Sequence, residues 1–114
     1  MSQSPIFIKT ESFMIWFFQH TAKFPKHERF RLAKRMDDAL FEFHSNLLIS
    51  SKQLNKLPTL KKADAELDKL RTYLRISLEM KYTSEMQYHY CSEQVKEIGK
   101  ILGGWIKKVS SGHK

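Results

Sequence analysis

Cysteine is almost missing from this chain. Cys91 stands alone, so no intrachain disulfide can form, and that fits a reducing compartment, the cytoplasm. Glycine (4) and proline (3) are scarce in 114 residues. Sandwiches and barrels draw on both for their turns, and doubly wound α/β folds need glycine-rich loops, so those classes are disfavoured. Long apolar runs are missing too. The longest, Phe13 to Phe18, ends at Gln19-His20, far short of the ~20 residues a membrane span requires. The first residues, Met1-Ser2-Gln3-Ser4-Pro5, lack the basic start and cleavage pattern of a secretory signal. There is no phosphate-binding glycine loop, no nucleophile elbow and no Cys-x-x-Cys, so nothing supports an enzyme. Acidic residues are the last deficit: 12 Asp and Glu face 20 Lys and Arg, a net charge of +8.

What is present is one domain's worth of chain, residues 1–114, with 41% hydrophobic residues and a full complement of aromatics. That is enough for one modest core and too apolar for a disordered basic tail. The positive surplus suggests a polyanionic partner.

The hydrophobic pattern predicts four helices. The first runs from about residue 9 to 22, with Thr10 or Ser12 as its cap. Phe13, Ile15, Trp16 and Phe17 make it apolar over much of its circumference. The second, about 26–54, begins at Pro25 or Lys26 and would be about 40 Å long. Its core seam is Leu32, Met36, Ala39/Leu40, Phe43 and Leu47, and Phe30, Phe41 and Leu48 form a second apolar stripe. The third, about 59–81, starts after Pro58 with Thr59 as cap and carries Leu60, Ala63, Leu67, Leu70, Leu74 and Ser77/Leu78. The fourth, about 84–109, opens on the capping box Ser84-Glu85-Met86-Gln87 and carries Cys91, Val95, Ile98, Leu102, Trp105 and Val109. Ser110 to Lys114 is expected to fray. Short connections between four amphipathic helices define an all-α, antiparallel up-down four-helix bundle.

Five features bear on chemistry. Lys23, Lys26, Arg29, Arg31, Lys34 and Arg35 form a basic segment relieved only by Glu28. On a helix, His27, Arg31, Lys34 and Arg35 share a face, suited either to a phosphate backbone or simply to solvent. Arg71 and Arg75 lie one turn apart; they fit paired phosphate contacts or i,i+3 and i,i+4 ion pairs with Asp68 and Glu79. Glu85, His89 and Glu93 recur every four residues, but no second His-bearing motif answers them, so they read as a solvated face and no metal or cofactor is expected. His89 lies two residues from Cys91, on a different side of a helix, so Cys91 reads as an inert core thiol. Finally, Gly103-Gly104 interrupts an apolar helical pattern that Trp105 continues, and Gly99 and Gly103, four apart, would open a flat strip on one face, which favours close packing over termination.

Two stretches resemble a known family. Lys23-Phe24-Pro25-Lys26-His27-Glu28-Arg29-Phe30 is similar to the "K-F-P-K-x-E-R-aromatic" signature of the bacterial four-helix-bundle family. That family contains the proteins of ribosomal-RNA intervening sequences and the accessory variability determinant (Avd) proteins of diversity-generating retroelements. Ile98-Gly99-Lys100-Ile101-Leu102-Gly103-Gly104-Trp105-Ile106-Lys107 resembles the Avd ending "I-G-x-x-L-G-G-W-I-K", and the "I-A-E-G" stretch of the intervening-sequence branch is missing. Leu70-Arg71-x-x-Leu74-Arg75 also looks like the Avd third helix. The resemblance covers about residues 13–108.

The resemblance implies a homopentameric barrel of bundles that is not itself an enzyme. It implies association with the retroelement's reverse transcriptase, binding of RNA or DNA through a positive surface, and support of mutagenic cDNA synthesis. By position it carries nucleic-acid contact to Lys26, Arg29, Arg71 and Arg75. It gives Phe30, Phe41, Leu48, Gly103, Gly104 and Trp105 a use between subunits. Five subunits would multiply the charge of +8 fivefold around one axis. The competing expectations are a scaffold whose basic face binds an acidic protein, and a ribosomal-RNA intervening-sequence protein.

Overall fold

The computed structural model describes residues 4–112. Four helices follow one another: α1 (Pro5–Thr21), α2 (Leu32–Ser51), α3 (Leu57–Glu79) and α4 (Glu85–Gly112), with a 3-10 turn at Lys26–Glu28 before α2. Each helix packs on its neighbours in sequence, and α1 closes the ring against α4. This is the up-down bundle expected from four amphipathic helices on short loops, 49 Å in its longest dimension. Among the described residues there is no strand.

The expected seams form the core. Met36, Leu40, Phe43 and Leu47 of α2, Leu60, Ala63, Leu67 and Leu70 of α3, and Cys91, Ile98 and Leu102 of α4 are fully buried. On α1, Phe13 and Phe17 are buried, whereas Ile15 faces outward. Burial pushes the Cys91 thiol up to about 12, so it stays protonated and unreactive.

Helix boundaries differ from expectation for identifiable reasons. α1 begins at Pro5, a full turn early, because proline suits a first helical position and Ile6 adds an apolar contact to the core. Thr10 is buried in mid-helix, so neither it nor Ser12 caps α1. α2 begins at Leu32 rather than Lys26. The 3-10 turn and the Arg29–Arg31 turn precede it, and Arg31 (φ −122°, ψ −101°) breaks the path. α3 starts at Leu57, with Pro58 in its first turn; Thr59 is not its cap but donates its hydroxyl to Gln53 Oε1 at 2.7 Å. α4 opens on the expected capping box. The Ser84 N–H donates to Gln87 Oε1 (2.8 Å), and the Gln87 N–H donates to Ser84 Oγ (3.1 Å). It then runs through Gly103-Gly104 to Gly112, so Ser110 to Gly112 are helical; His113 and Lys114 lie outside the described residues.

The end of α3 carries no glycine, yet it closes like a helix that has one. The Tyr82 N–H returns to the Ser77 carbonyl (2.9 Å) and the Lys81 N–H to Leu78 (3.0 Å). Lys81 supplies the left-handed residue at φ 65°. A side chain there costs roughly 1 kcal/mol against glycine. Lys81→Gly is expected to stabilise the bundle by about that amount, measured by urea unfolding.

Asp37 lies between α1 and α2 and accepts a hydrogen bond from Thr21 Oγ1 at 2.8 Å. Burial pushes its carboxyl up to about 6; the neighbouring Asp38 charge adds to that, and the Thr21 bond opposes it. A carboxyl raised in the folded state favours folding fully below its unfolded value, near 3.8, and loses that contribution as pH rises towards 6. Asp37→Asn is therefore expected to raise the urea midpoint at pH 7 and leave it nearly unchanged at pH 4.

Candidate nucleic-acid interface

The six cations of the basic segment are divided between the corner before α2 and α2 itself. Lys23, Lys26 and Arg29 lie in the corner between α1 and α2, exposed, and off any α-helix. Arg31 is held by Glu28: its Nε donates to Oε1 at 2.7 Å, and Nη2 binds Oε2. Lys34 pairs with Asp38 at 2.6 Å, and Arg35 shares a cleft with Asp38, Glu42 and Glu66. The 3-10 turn takes His27 off the helix, which removes the common face of His27, Arg31, Lys34 and Arg35. Arg31 and Lys34 are thereby committed locally.

The opposite side of the bundle holds a stronger concentration. Arg71 and Arg75 of α3 face Lys96 and Lys100 of α4 across one groove of about 430 Å³, with Tyr88, Ser92 and Gly99 also lining it. The antiparallel pairing of α3 and α4 produces this register, fixed by Leu67, Leu70 and Leu74 packing towards Val95, Ile98 and Leu102 in one core. Arg71 Nη1 donates to Asp68 Oδ1 at 2.6 Å, the i,i+3 pair expected from spacing. Glu79, by contrast, does not reach Arg75. Among the described residues no carboxylate lies within 4 Å of Arg75, Lys96 or Lys100. Glu97, the nearest acid in sequence to both lysines, turns towards α1 and pairs with Lys9 at 2.8 Å, and that pair holds its carboxyl below the usual range.

Gly99 shapes the groove. A Cβ added there would lie 2.6 Å from Arg71 Nη2, so the absent side chain is what lets the guanidinium lie across α4. Of the strip expected from Gly99 and Gly103, the close approach occurs at Gly99 alone. At Gly103 and Gly104 an added Cβ meets nothing within 4 Å, so within this chain their lack of side chains serves no packing. Trp105, half-buried, walls two apolar clefts at that end of the bundle, both rimmed by Lys56 and Lys108.

The second apolar stripe is exposed, with one change. Phe41 (51% exposed) and Leu48 (45%) lie on α2, but Phe30 (81%) sits in the preceding turn and not on the helix. Phe41 stacks on Phe18 at 4.5 Å, and Ile8 and Ile15 extend the apolar surface on α1. Glu85, His89 and Glu93 are exposed on α4, and among the described residues no cluster of three such side chains is placed to hold a metal ion. Among the described residues no helix is long and apolar enough to cross a membrane.

The "K-F-P-K-x-E-R" segment has an architectural role that the sequence did not disclose. Glu28 is 1% exposed and accepts from Arg31, from the Tyr82 hydroxyl (2.8 Å) and from the Leu32 N–H (3.3 Å). These donors, Arg31 foremost, hold its carboxyl down to about 2 against the opposing effect of burial. Phe24 is buried beside His20 and Tyr82. Lys96, Lys100, Tyr88 and the pairing of Gly99 with Arg71 were not anticipated; their signal was the spacing Tyr88-x3-Ser92-x3-Lys96-x3-Lys100, which marks one face of α4.

The architecture is thus a small basic helical bundle with a cation-lined groove between its last two helices. The sequence profile of the bAvd-like family matches residues 6–109, and the chain belongs to that family. Its fold is similar to that of a protein of unknown function from the S23 ribosomal protein family of Bacteroides thetaiotaomicron, solved by crystallography. The two share 17% identity over 90% of this chain and 98% of the other, with a TM-score of 0.79. No curated protein matches.

Proposed function

We propose that this protein is a non-enzymatic accessory factor of a diversity-generating retroelement. It binds RNA or DNA through the α3–α4 groove and works beside the element's reverse transcriptase in mutagenic cDNA synthesis, in the cytoplasm. The observation that carries this reading is the meeting of Arg71, Arg75, Lys96 and Lys100 on one groove, with Asp68 the only acid among the described residues that pairs with them. Membership of the bAvd-like family supports the accessory role. The exposed Phe41, Leu48, Ile8 and Ile15 supply an apolar surface that a homopentamer would cover, and five copies would add their grooves to one charged assembly.

Cations that neutralise phosphates release counterions, so affinity falls with salt. Four phosphate contacts on single-stranded RNA predict a loss on the order of fifty-fold between 50 and 200 mM salt, measured by fluorescence anisotropy. Salt-independent binding, or none at 50 mM, would sink the reading. Arg71→Glu with Arg75→Glu should lower affinity at least tenfold while leaving the circular dichroism spectrum intact. An acidic polypeptide that binds in place of RNA would favour the scaffold alternative.

Gly99→Ala separates stability from function. Alanine improves an exposed helix interior by about 1 kcal/mol over glycine, and the clashing atom is the mobile end of Arg71. The variant is expected to unfold at higher urea concentration yet bind RNA more weakly, because Arg71 loses its place across α4.

A further inference from the structure

The groove contains one large side chain that phosphate neutralisation leaves without a role. Tyr88 is half-buried, and it lines the groove on the Arg75 side, opposite the end closed by Arg71 over Gly99. From Tyr88 the α4 wall runs through Ser92 and Lys96 to Lys100, one turn at a time, about 18 Å at 1.5 Å per residue. The groove between the two helices is half open to solvent and holds about 430 Å³.

We propose that the groove takes single-stranded rather than duplex nucleic acid, with a base stacked on Tyr88 and the following phosphates against Arg75 and Lys96, then Arg71 and Lys100. The inference rests on the nucleic-acid reading above and adds the form of the ligand. In a duplex the bases stack on one another, and presenting a base face to Tyr88 would first cost a few kcal/mol of unstacking. A single strand has its base faces free, and stacking on an aromatic ring accepts any base. The cations occupy both walls, as suits a strand lying between two helices. A duplex would present its phosphates to one convex side only.

The test compares a labelled 12-nucleotide oligothymidylate with a hairpin duplex of 12 base pairs at equal salt, using fluorescence anisotropy. The single strand is expected to bind more tightly. Tyr88→Leu keeps an apolar contact with the core but removes the ring; it should weaken single-strand binding at least fivefold and leave duplex binding unchanged. Tyr88→Phe should retain the single-strand affinity, and Tyr88→Trp should match or exceed it, which keeps the test decisive should the leucine variant fold poorly. Equal or tighter duplex binding overturns the proposal, as does a leucine variant that changes neither affinity or lowers both alike. Steep salt dependence with no preference between the two forms overturns only the single-strand inference. No binding of either at 50 mM salt overturns the nucleic-acid reading and this inference together.

Discussion

A carboxylate taken almost wholly out of water is costly unless every lone pair finds a donor. Glu28 meets that requirement with three elements at once: Arg31 from the corner before α2, the first N–H of α2 at Leu32, and the Tyr82 hydroxyl from the connection between α3 and α4. The α1–α2 corner and the α3–α4 corner are thereby fastened at the same end of the bundle. A second polar chain runs beside it. The Ser77 hydroxyl donates to the Leu74 carbonyl, so the Thr83 hydroxyl must donate to Ser77, and His20 Nε2 must carry the proton it gives to Thr83. Burial, aided by the Lys23 charge, lowers the His20 pKa and keeps the ring neutral in that role.

These contacts bear on the groove because they fix where α3 stops and α4 begins. The left-handed cap at Lys81 and the Ser84–Gln87 capping box set the phase of one helix against the other. With that phase set, each turn along α3 has a fixed partner along α4. Arg71 falls opposite Gly99, and Arg75 lies one turn nearer Tyr88. A slip of one residue would turn Gly99 away by about 100° and put a bulkier side chain under the guanidinium. The "K-F-P-K-x-E-R" and "I-G-x-x-L-G-G-W-I-K" segments, at opposite ends of the sequence, therefore bear on one geometry, through Glu28 and Gly99 respectively.

The core seams were legible because burial leaves a period that solvent does not. Leu60, Ala63, Leu67, Leu70 and Leu74 can be read as one face from spacing alone, and all are buried. The Ser84–Gln87 box was legible because both partners lie within four residues. What escaped reading was decided by tertiary contact. Nothing local shows that Glu28 would bind Tyr82, 54 residues away, and end any helix begun at Lys26. The cap at Lys81 lacks the glycine that normally marks it. Nothing local to Lys96 and Lys100 shows that α3 places Arg71 and Arg75 across from them. The six clustered cations of residues 23–35 were conspicuous in sequence, but Arg31, Lys34 and Arg35 proved to have acidic company, at Glu28, Asp38 and Glu66.

That contrast separates charge paired within the chain from charge held together on a rigid surface. Cations adjacent in sequence can fold back onto nearby carboxylates, as Arg31 does onto Glu28 and Lys34 onto Asp38, and the local field falls. Cations on two rigid helices, held by buried leucines beneath them, cannot leave one another. Their mutual repulsion is a standing cost, larger at low salt, that the core between α3 and α4 must offset. A phosphate in the groove relieves the repulsion and gains its own attraction in the same step. Glu97 illustrates the arrangement: it sits between Lys96 and Lys100 in sequence, where it might have neutralised both, yet it turns to Lys9 on α1. The bundle thus uses that acid to join α1 to α4, and the lysines on either side of it keep their charge on the groove.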